Sequence, residues 1–555
     1  MCGIFAVLSD DTNYLSSDKL KYNFMKGKSR GPENSKYEII NSNLSFGFHR
    51  LAINGLDTIS NQPLSRNGIY LICNGEIYNY KQIYSDLNYT PKTNSDCEAI
   101  ICLYEKYGID YTLQNLDGVF SFVLYDSNIG QGFIARDPYG VRPLYYGIVP
   151  STSIIIFSSL LKQISELTTH TKNFQAGSYL RFHIYNDSSY EVSLPNKYTT
   201  FNYHNNYYMA SYGIKQCYNI VYESLFNAVK KRVITMETDF ACLLSGGLDS
   251  SLIAAFLSKY VPRGQLKTFS IGMKGGSDLQ YAKMVSNHIN SNHTEVIFSD
   301  QEFFQAIDEV IYNIESYDTT TVRASVGNYL VAQYISKNTN AKVLFNGDGS
   351  DELTGGYMYF HKCPNDIEFD FECKRLLNQL QYYDVLRSDR TISCHGLEAR
   401  TPFLDRSFVD KYLSLPIEYR NHNNGEKIEK WLLRKSIEIL EPNLLPQQVL
   451  WRTKEAFSDG VSSQEKSWFE IINDKLEDIY DEDEFNSKVD KYNFNKPTTK
   501  EQLYYREIFE KYYHGKGDII PAFWMPKYTN ATDSSARSLN IYKEKMKLGE
   551  KENDF

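Results

Sequence analysis

Short apolar blocks separated by turn residues dominate the first third of the chain: Gly3–Leu8, Leu44–Ile53, Ile69–Cys73, Val119–Tyr125, Gly132–Ala135 and Ile154–Ser158. Their β-branched and aromatic content, with Gly, Asn, Asp and Pro between them, predicts strands. Helical spacing in this region is confined to Tyr80–Leu87 and Asp96–Tyr107. The stretch from Asn196 to Tyr212, full of Asn, Tyr and Thr, lacks apolar periodicity and predicts a linker. After it the rhythm changes. An amphipathic helix over Ile214–Val233 leads to a strand at Phe240–Leu244 and a helix at Ser250–Lys259. Strands at Lys267–Ile271, Thr294–Phe298 and Lys342–Phe345 then alternate with helices at Tyr281–Ile289, Phe303–Ile314 and Ser325–Lys337. That alternation predicts βαβ units and a doubly wound parallel sheet. From Phe371 onward helical patterns dominate, and the residues after about Ser535 are polar and expected to fray. The expected division is 2–195, a linker at 196–212, a second domain at 213–535 and a polar tail at 536–555.

With 555 residues the chain exceeds an ordinary single domain. A net charge of −9 over that length leaves no electrostatic footprint for nucleic acid. No apolar run approaches a membrane span, and Met1–Phe5 does not open a secretory leader, so a soluble cytoplasmic protein is expected. The nine cysteines are odd in number and contain no C-x-x-C pair, which makes reduced thiols the default.

Six places along the chain have the residue types that chemistry needs. Cys2 precedes a glycine, so loss of the initiator Met would leave a thiol beside its own α-amine, a base titrating near 8. Asn74-Gly75-Glu76 follows an apolar run and offers an amide and an unhindered N–H to an oxyanion, or else forms an Asn-Gly hairpin turn. Arg50 can hold a carboxylate bidentately; Asp96 can hold an ammonium or cap a helix. Ser245-Gly246-Gly247-Leu248-Asp249-Ser250-Ser251 lies between a strand and a helix, where glycines, hydroxyls and helix N–H groups make an anion nest. Asn346-Gly347-Asp348-Gly349-Ser350-Asp351-Glu352 ends another strand, with acidic residues suited to a magnesium ion on phosphates.

These segments carry a resemblance. Cys2-Gly3-Ile4, Arg30-Gly31-Pro32, His49 to Ile53, Asn74 to Asn79, Ser95-Asp96 and Arg136 to Tyr145 resemble the glutaminase domain of class II glutamine amidotransferases. The Ser245–Ser251 loop resembles that of N-type ATP pyrophosphatases. Together with Tyr317–Ser325, Gly396–Asp405, Arg452–Gly460 and the tail segments Trp524–Lys527 and Asn530–Asp533, nearly the whole chain is similar to the glutamine-hydrolysing asparagine synthetase family. Glu33 and Asp348 stand where that family usually has Asp and Glu respectively, and Asn346 where it usually has Ser.

The resemblance implies an αββα sandwich of the terminal-nucleophile type followed by the parallel-sheet domain. It implies Cys2 as nucleophile, Asn74 and Gly75 as oxyanion hole, and Arg50, Leu51, Ala52, Ile53, Asn54, Glu76 and Asp96 around glutamine. For ATP it implies Leu244, Ser245, Gly246, Gly247, Asp249, Ser250, Ile271, Asn346, Gly347, Arg323 and Lys454, with Asp249 and Asp351 on Mg²⁺ and Asp348 and Lys454 catalytic. Glutamine, aspartate and ATP are the implied substrates, asparagine, AMP and pyrophosphate the products, and a homodimer the implied assembly. Two other readings remain: a ligase of the same architecture that amidates a different carboxylate, and a catalytically silent binding homologue. Cys2, the full Ser245–Ser251 loop and Lys454 argue against the silent one.

Overall fold

A computed structural model describes residues 1–199, 212–422, 427–463 and 465–540. Most of the expected linker and the tail from 541 therefore lie outside the described residues.

Two antiparallel sheets form the N-terminal half. The strands in chain order are β1 (Gly3–Leu8), β2 (Asn34–Ile39), β3 (Leu44–Arg50), β4 (Leu64–Arg66), β5 (Ile69–Ile77), β6 (Gly118–Asp126), β7 (Gln131–Arg136), β8 (Tyr145–Ile148), β9 (Ile155–Ser158), β10 (His170–Asn173), β11 (Ser178–Ile184), β12 (Tyr190–Val192) and β13 (Asn196–Lys197). One sheet runs β10-β8-β9-β1-β3-β2; the other runs β12-β11-β7-β6-β5-β4, with β13 also on β11. The period of two along each strand sorts its side chains. Ile4, Ala6 and Leu8 of β1 meet Ile72, Val123 and Phe182 between the sheets, while Phe5 and Val7 point to the opposite face. Helix α1 (Glu98–Asn115) covers the outer face of the second sheet through Ile100, Ile101 and Leu103. The helix expected to end at Tyr107 continues past Gly108, whose φ of +76° breaks the helical path there.

After helix α2 (Ile214–Ile234), the C-terminal half is built on a five-stranded parallel sheet. Its strands are β14 (Phe240–Leu243), β15 (Lys267–Gly272), β16 (Asn292–Ile297), β17 (Val343–Phe345) and β18 (Glu398–Arg400), in the order β16-β15-β14-β17-β18. Helices α3 (Leu248–Leu257), α4 (Ser277–Ile289), α5 (Thr319–Asn338) and α6 (Asp384–Ser393) accompany them. Strand β18 escapes the hydropathy pattern, because its buried residues include Glu398 and Arg400. The helix expected over Phe303–Ile314 is two, Asp300–Gln305 and Ile307–Ile314. Chain direction across the sheet reverses between β14 and β17, and the loops leaving those two strands face one crevice, the position where doubly wound sheets bind ligands.

The halves share one continuous core, in which Phe5 and Ile156 belong with Ile311 and Ile314. They are also joined by buried charges. Arg30 meets Asp389 at 2.6 Å, Arg142 meets Glu398 at 3.2 Å, and Glu76 meets Arg400 at 2.9 Å. Glu315 accepts the backbone N–H groups of Leu161 and Lys162, both at 2.9 Å, and pairs with Arg390.

Candidate functional sites

Cys2 enters β1, and its thiol lies 3.6 Å from the carbonyl of Leu51, in the loop that leaves β3. Burial pushes that thiol up to about 11. Arg30 Nε donates to the Cys2 carbonyl at 2.8 Å. Met1 is buried between the halves; its amine faces the Leu397 carbonyl at 3.4 Å, and burial lowers it to about 6.

Asn74 and Gly75 do not end a strand or turn a hairpin. They lie inside β5, opposite Ser121 and Phe120 of β6. A Cβ on Gly75 would sit 2.5 Å from the Val119 carbonyl oxygen, so the neighbouring strand excludes any side chain there. Asn74 is fully buried with its Nδ2 3.5 Å from Ser159 Oγ, which accepts the Ile4 N–H at 3.0 Å. Ser159 thus ties the amide to the strand that carries Cys2. Glu76 accepts from Asn54 Nδ2 at 2.7 Å and from Arg400; burial and the carboxyls of Glu398 and Asp96 push it well up, against the pull of Arg400.

Asp96 does not cap α1. Its Oδ2 accepts the Ile77 N–H at 2.6 Å, and burial raises its carboxyl to about 6. Among the described residues Arg50 pairs with no carboxylate: its Nη groups donate to the Asp57 carbonyl at 2.8 Å, to Asn61 Oδ1 at 2.7 Å and to the Gly55 carbonyl. The loop Leu51-Ala52-Ile53-Asn54 is pinned from both halves. Glu33 Oε2 accepts the Ala52 N–H at 2.5 Å, Lys342 pairs with Glu33 and reaches the Ala52 carbonyl at 3.2 Å, and the Ile53 carbonyl accepts the Glu237 N–H at 3.1 Å.

The second site lies in the crevice of the parallel sheet. The Ser245–Ser251 loop leaves β14 and opens α3. Ser250 Oγ accepts the Ser245 N–H at 3.1 Å and lies 3.0 Å from Ser245 Oγ. Gly246 has φ +75°, and a Cβ there would meet Ala282 N at 2.4 Å, so the tight turn against α4 requires glycine. Gly347, leaving β17, is needed for close approach: its Cβ would sit 2.7 Å from Asp249 Cβ. One cavity is lined by Leu244, Ser245, Gly247, Asp249, Ser250, Ile271, Asn346, Gly347, Asp348, Asp351 and Lys454.

Arg323, expected beside the phosphates, is not there. It does not line the cavity; its guanidinium is spent on Glu501 (Nε to Oε1, 2.7 Å) and Asp533 (Nη1 to Oδ1, 2.8 Å). It anchors the C-terminal segment instead. That segment is ordered further than expected: Arg537 Nη2 donates to Glu455 at 2.6 Å and Ser535 Oγ to Asp459 at 2.8 Å, both on the stretch that carries Lys454.

One cation missed by sequence reasoning is Lys430. Its Nζ lies 2.6 Å from a carboxylate oxygen of Asp249 and 2.6 Å from one of Asp351. Lys454 adds a second contact to Asp351 at 2.6 Å, and the two ammonium groups outweigh burial to hold the Asp351 carboxyl below its usual range. An isolated Lys in a Lys-Ile-Glu-Lys stretch bears no signal of this. Asp249 and Asp351 are the carboxylates that would hold a magnesium ion, whose charge would offset that of phosphates. Among the described residues, no cluster of three or more His, Cys, Asp or Glu could hold a metal unaided. Arg387 and Asp384 also line the cavity without a sequence signal, and Trp524, of the tail segment that carries the resemblance, joins them.

Comparison with known proteins matches residues 1–201 to the glutamine amidotransferase domain model, and residues 221–372 and 363–534 to the asparagine synthase model. The chain is 43% identical to asparagine synthetase (glutamine-hydrolyzing) of Gallus gallus over 574 residues, covering 98% of this chain and 99% of that one. It is also 43% identical to the proteins of the same name from Mus musculus and Homo sapiens, each over 577 residues, covering 99% of this chain and all of theirs.

Proposed function

The chain belongs to the glutamine-hydrolysing asparagine synthetase family, and from that premise we propose how its residues divide the work. It is an ATP-dependent ligase that makes asparagine from aspartate with glutamine as nitrogen donor. Cys2, freed of Met1, attacks the glutamine amide, its thiol giving its proton to its own α-amine. Asn74 and Gly75 donate to the oxyanion of the tetrahedral intermediate. Arg50 and Asp96 take the α-carboxylate and α-ammonium of glutamine, with Leu51, Ala52, Ile53, Asn54 and Glu76 shaping the pocket. Ammonia then passes inside the molecule, which keeps it unprotonated.

In the crevice, Ser245, Gly246, Gly247 and Ser250 receive the pyrophosphate end of ATP, while Leu244, Ile271, Asn346 and Gly347 border the nucleoside. Asp249 and Asp351 would hold Mg²⁺, whose charge, when bound, offsets that of the phosphates. Lys430 and Lys454 add positive charge as the pyrophosphate departs. Aspartate becomes β-aspartyl-AMP, and Asp348 orients the attacking ammonia and receives its proton. The observation that carries this reading is the meeting of a phosphate-type loop with Asp249, Asp351, Lys430 and Lys454 at the sheet's switch point. Among the described residues no helix is long and apolar enough to cross a membrane, which fits the proposed cytoplasmic setting. The family also suggests a homodimer, which sedimentation would test.

Two measurements test the assignment. Incubation with glutamine, aspartate, ATP and Mg²⁺ should yield one AMP and one pyrophosphate per asparagine; stoichiometric ADP and phosphate would remove the adenylation step. Mass spectrometry of active enzyme should find Met1 absent, and full glutaminase activity with Met1 retained would contradict the α-amine base.

A further inference from the structure

Two buried side chains at the crevice have no role so far in the reaction step itself: Asn346, where β17 ends, and Ser388, on α6. Asn346 Nδ2 donates to Asp348 Oδ2 at 2.7 Å and to Ser388 Oγ at 2.8 Å, while its Oδ1 accepts the Asp348 N–H at 3.3 Å. A carboxylate can only accept, so the nitrogen of the amide must be the atom that faces it. The other oxygen of Asp348 takes Arg387 Nη2 at 2.9 Å. Asp384, one turn before Ser388 on the same helix, pairs with Arg387 and accepts the Gly349 N–H at 3.1 Å. One helix therefore holds the loop on both sides of Asp348, and each carboxylate oxygen has its own donor. The same side chain is half of a ring: Asn346 grips Asp348 at both its backbone N–H and its carboxylate.

We propose that Asn346 and Ser388 are positioning residues for amide formation, presetting the Asp348 carboxylate toward the ammonia that attacks the acyl-adenylate. The proposal rests on the reading of Asp348 given above. In the step concerned, the ammonia nitrogen forms its bond to the β-acyl carbon, AMP leaves with the electrons of the broken C–O bond, and one proton of the nitrogen passes to Asp348. An Asp arm is about one C–C bond, roughly 1.5 Å, shorter than a Glu arm, so its oxygens cannot search for the nucleophile. They must already be in place, and an error of about 1 Å can cost on the order of a hundredfold. Ser388 gives the amide its second acceptor, which sets the plane in which Nδ2 meets Asp348.

The test separates adenylation from amidation in the full-length enzyme. Aspartate-dependent exchange of labelled pyrophosphate into ATP, without nitrogen donor, reads adenylation; asparagine formation from added ammonia reads the whole path. Asn346→Ala should lose about tenfold to a hundredfold in asparagine formation, beyond any loss of exchange that its place beside the nucleoside brings. Ser388→Ala, outside the ATP pocket, should keep exchange within about twofold and lose less in asparagine formation, in kcat and not in the KM for ATP. Asn346→Asp places a second carboxylate beside Asp348 and should move the acid limb of the ammonia-dependent rate to higher pH. Asn346→Ser combined with Asp348→Glu should recover more activity than either change alone. Glutaminase activity in each variant reports folding. Parallel loss of exchange and synthesis, or normal synthesis by Asn346→Ala alongside an inactive Asp348→Asn, would overturn the positioning role alone. Normal synthesis by Asp348→Asn would overturn the reading of Asp348 itself.

Discussion

The two halves place their reactive groups on different kinds of backbone. In the N-terminal half Asn74 and Gly75 sit within a paired strand, and Cys2 directly precedes one. In the C-terminal half Ser245, Asp249, Asp348 and Asp351 ride on loops and helix starts beyond the strand ends. A strand-borne site inherits precision from the sheet but cannot change a residue without disturbing the register of its neighbours. A loop-borne site can vary its side chains while the sheet stays intact, at the cost of needing second partners such as Asn346 and Lys430 to hold each group. The halves also differ in how they manage charge. Near Cys2 and Asn74 the buried charges are paired across the boundary between halves, as Glu76 is with Arg400. In the crevice Asp351 is balanced by two lysines from distant loops, Lys430 and Lys454.

The largest effect should come from Cys2→Ala. Removing the nucleophile should abolish glutamine-dependent synthesis by more than about a thousandfold and leave synthesis from ammonia within about twofold. Loss of both activities in a folded variant would mean that the halves are not chemically separable. The mirror experiment is Lys454→Met, which should depress adenylation and asparagine formation by about a hundredfold or more while glutamine hydrolysis persists. If pyrophosphate exchange in that variant were normal, the crevice would not depend on the Asp351 partnership.

Gly75→Ala sharpens the strand-against-loop contrast. Its Cβ would press on the Val119 carbonyl across the strand pair at 2.5 Å, so it should cost about 1–3 kcal/mol of stability together with glutaminase activity. Gly347→Ala, on a loop, should instead lower synthesis with little change in the melting of the N-terminal half. Equal melting shifts for the two would erase the distinction. The smallest effect is a pH dependence. Burial holds the Asp96 carboxyl at about 6 in the free enzyme, and only its ionised form can grip an ammonium. The kcat/KM for glutamine should therefore fall about tenfold per pH unit below about 6, and ammonia-dependent synthesis should not share that inflection. Asp96→Asn should remove the inflection with most of the activity; an unchanged profile would show that another group sets it.

Local pattern missed β2, β4, β8 and β10 to β13, but it was enough for β1, β3, β6, β7 and β9, the βαβ alternation after Ile214, and the Ser245–Ser251 loop. Each is decided by side chains within a few residues of one another: apolar spacing, turn glycines, a hydroxyl at a helix start. The stretch from Ile69 shows where that limit falls. Its apolar run stops at Cys73, yet the strand continues to Ile77, because β6 supplies hydrogen bonds to Asn74, Gly75 and Glu76 that no local rule contains. Strand β18 is the stronger case, since Glu398 and Arg400 are tolerable in a buried strand only when Arg142 and Glu76 arrive from the other half.

What the sequence by itself determined is the set of chemical groups and their order along the chain: a cysteine at position 2, an amide next to a glycine, a phosphate-type loop, and acidic residues after a strand. Which of the cations would serve them was left to the tertiary structure. Arg323 and Lys430 are both basic residues in the second half, with nothing nearby in the chain to tell their roles apart. Folding sends Arg323 to Glu501 and Asp533, 178 and 210 residues away, and brings Lys430 onto Asp249 and Asp351. The reason is physical: a buried charge is tolerated only beside its counter-charge, and which counter-charge that is depends on the packing of segments that are remote in sequence.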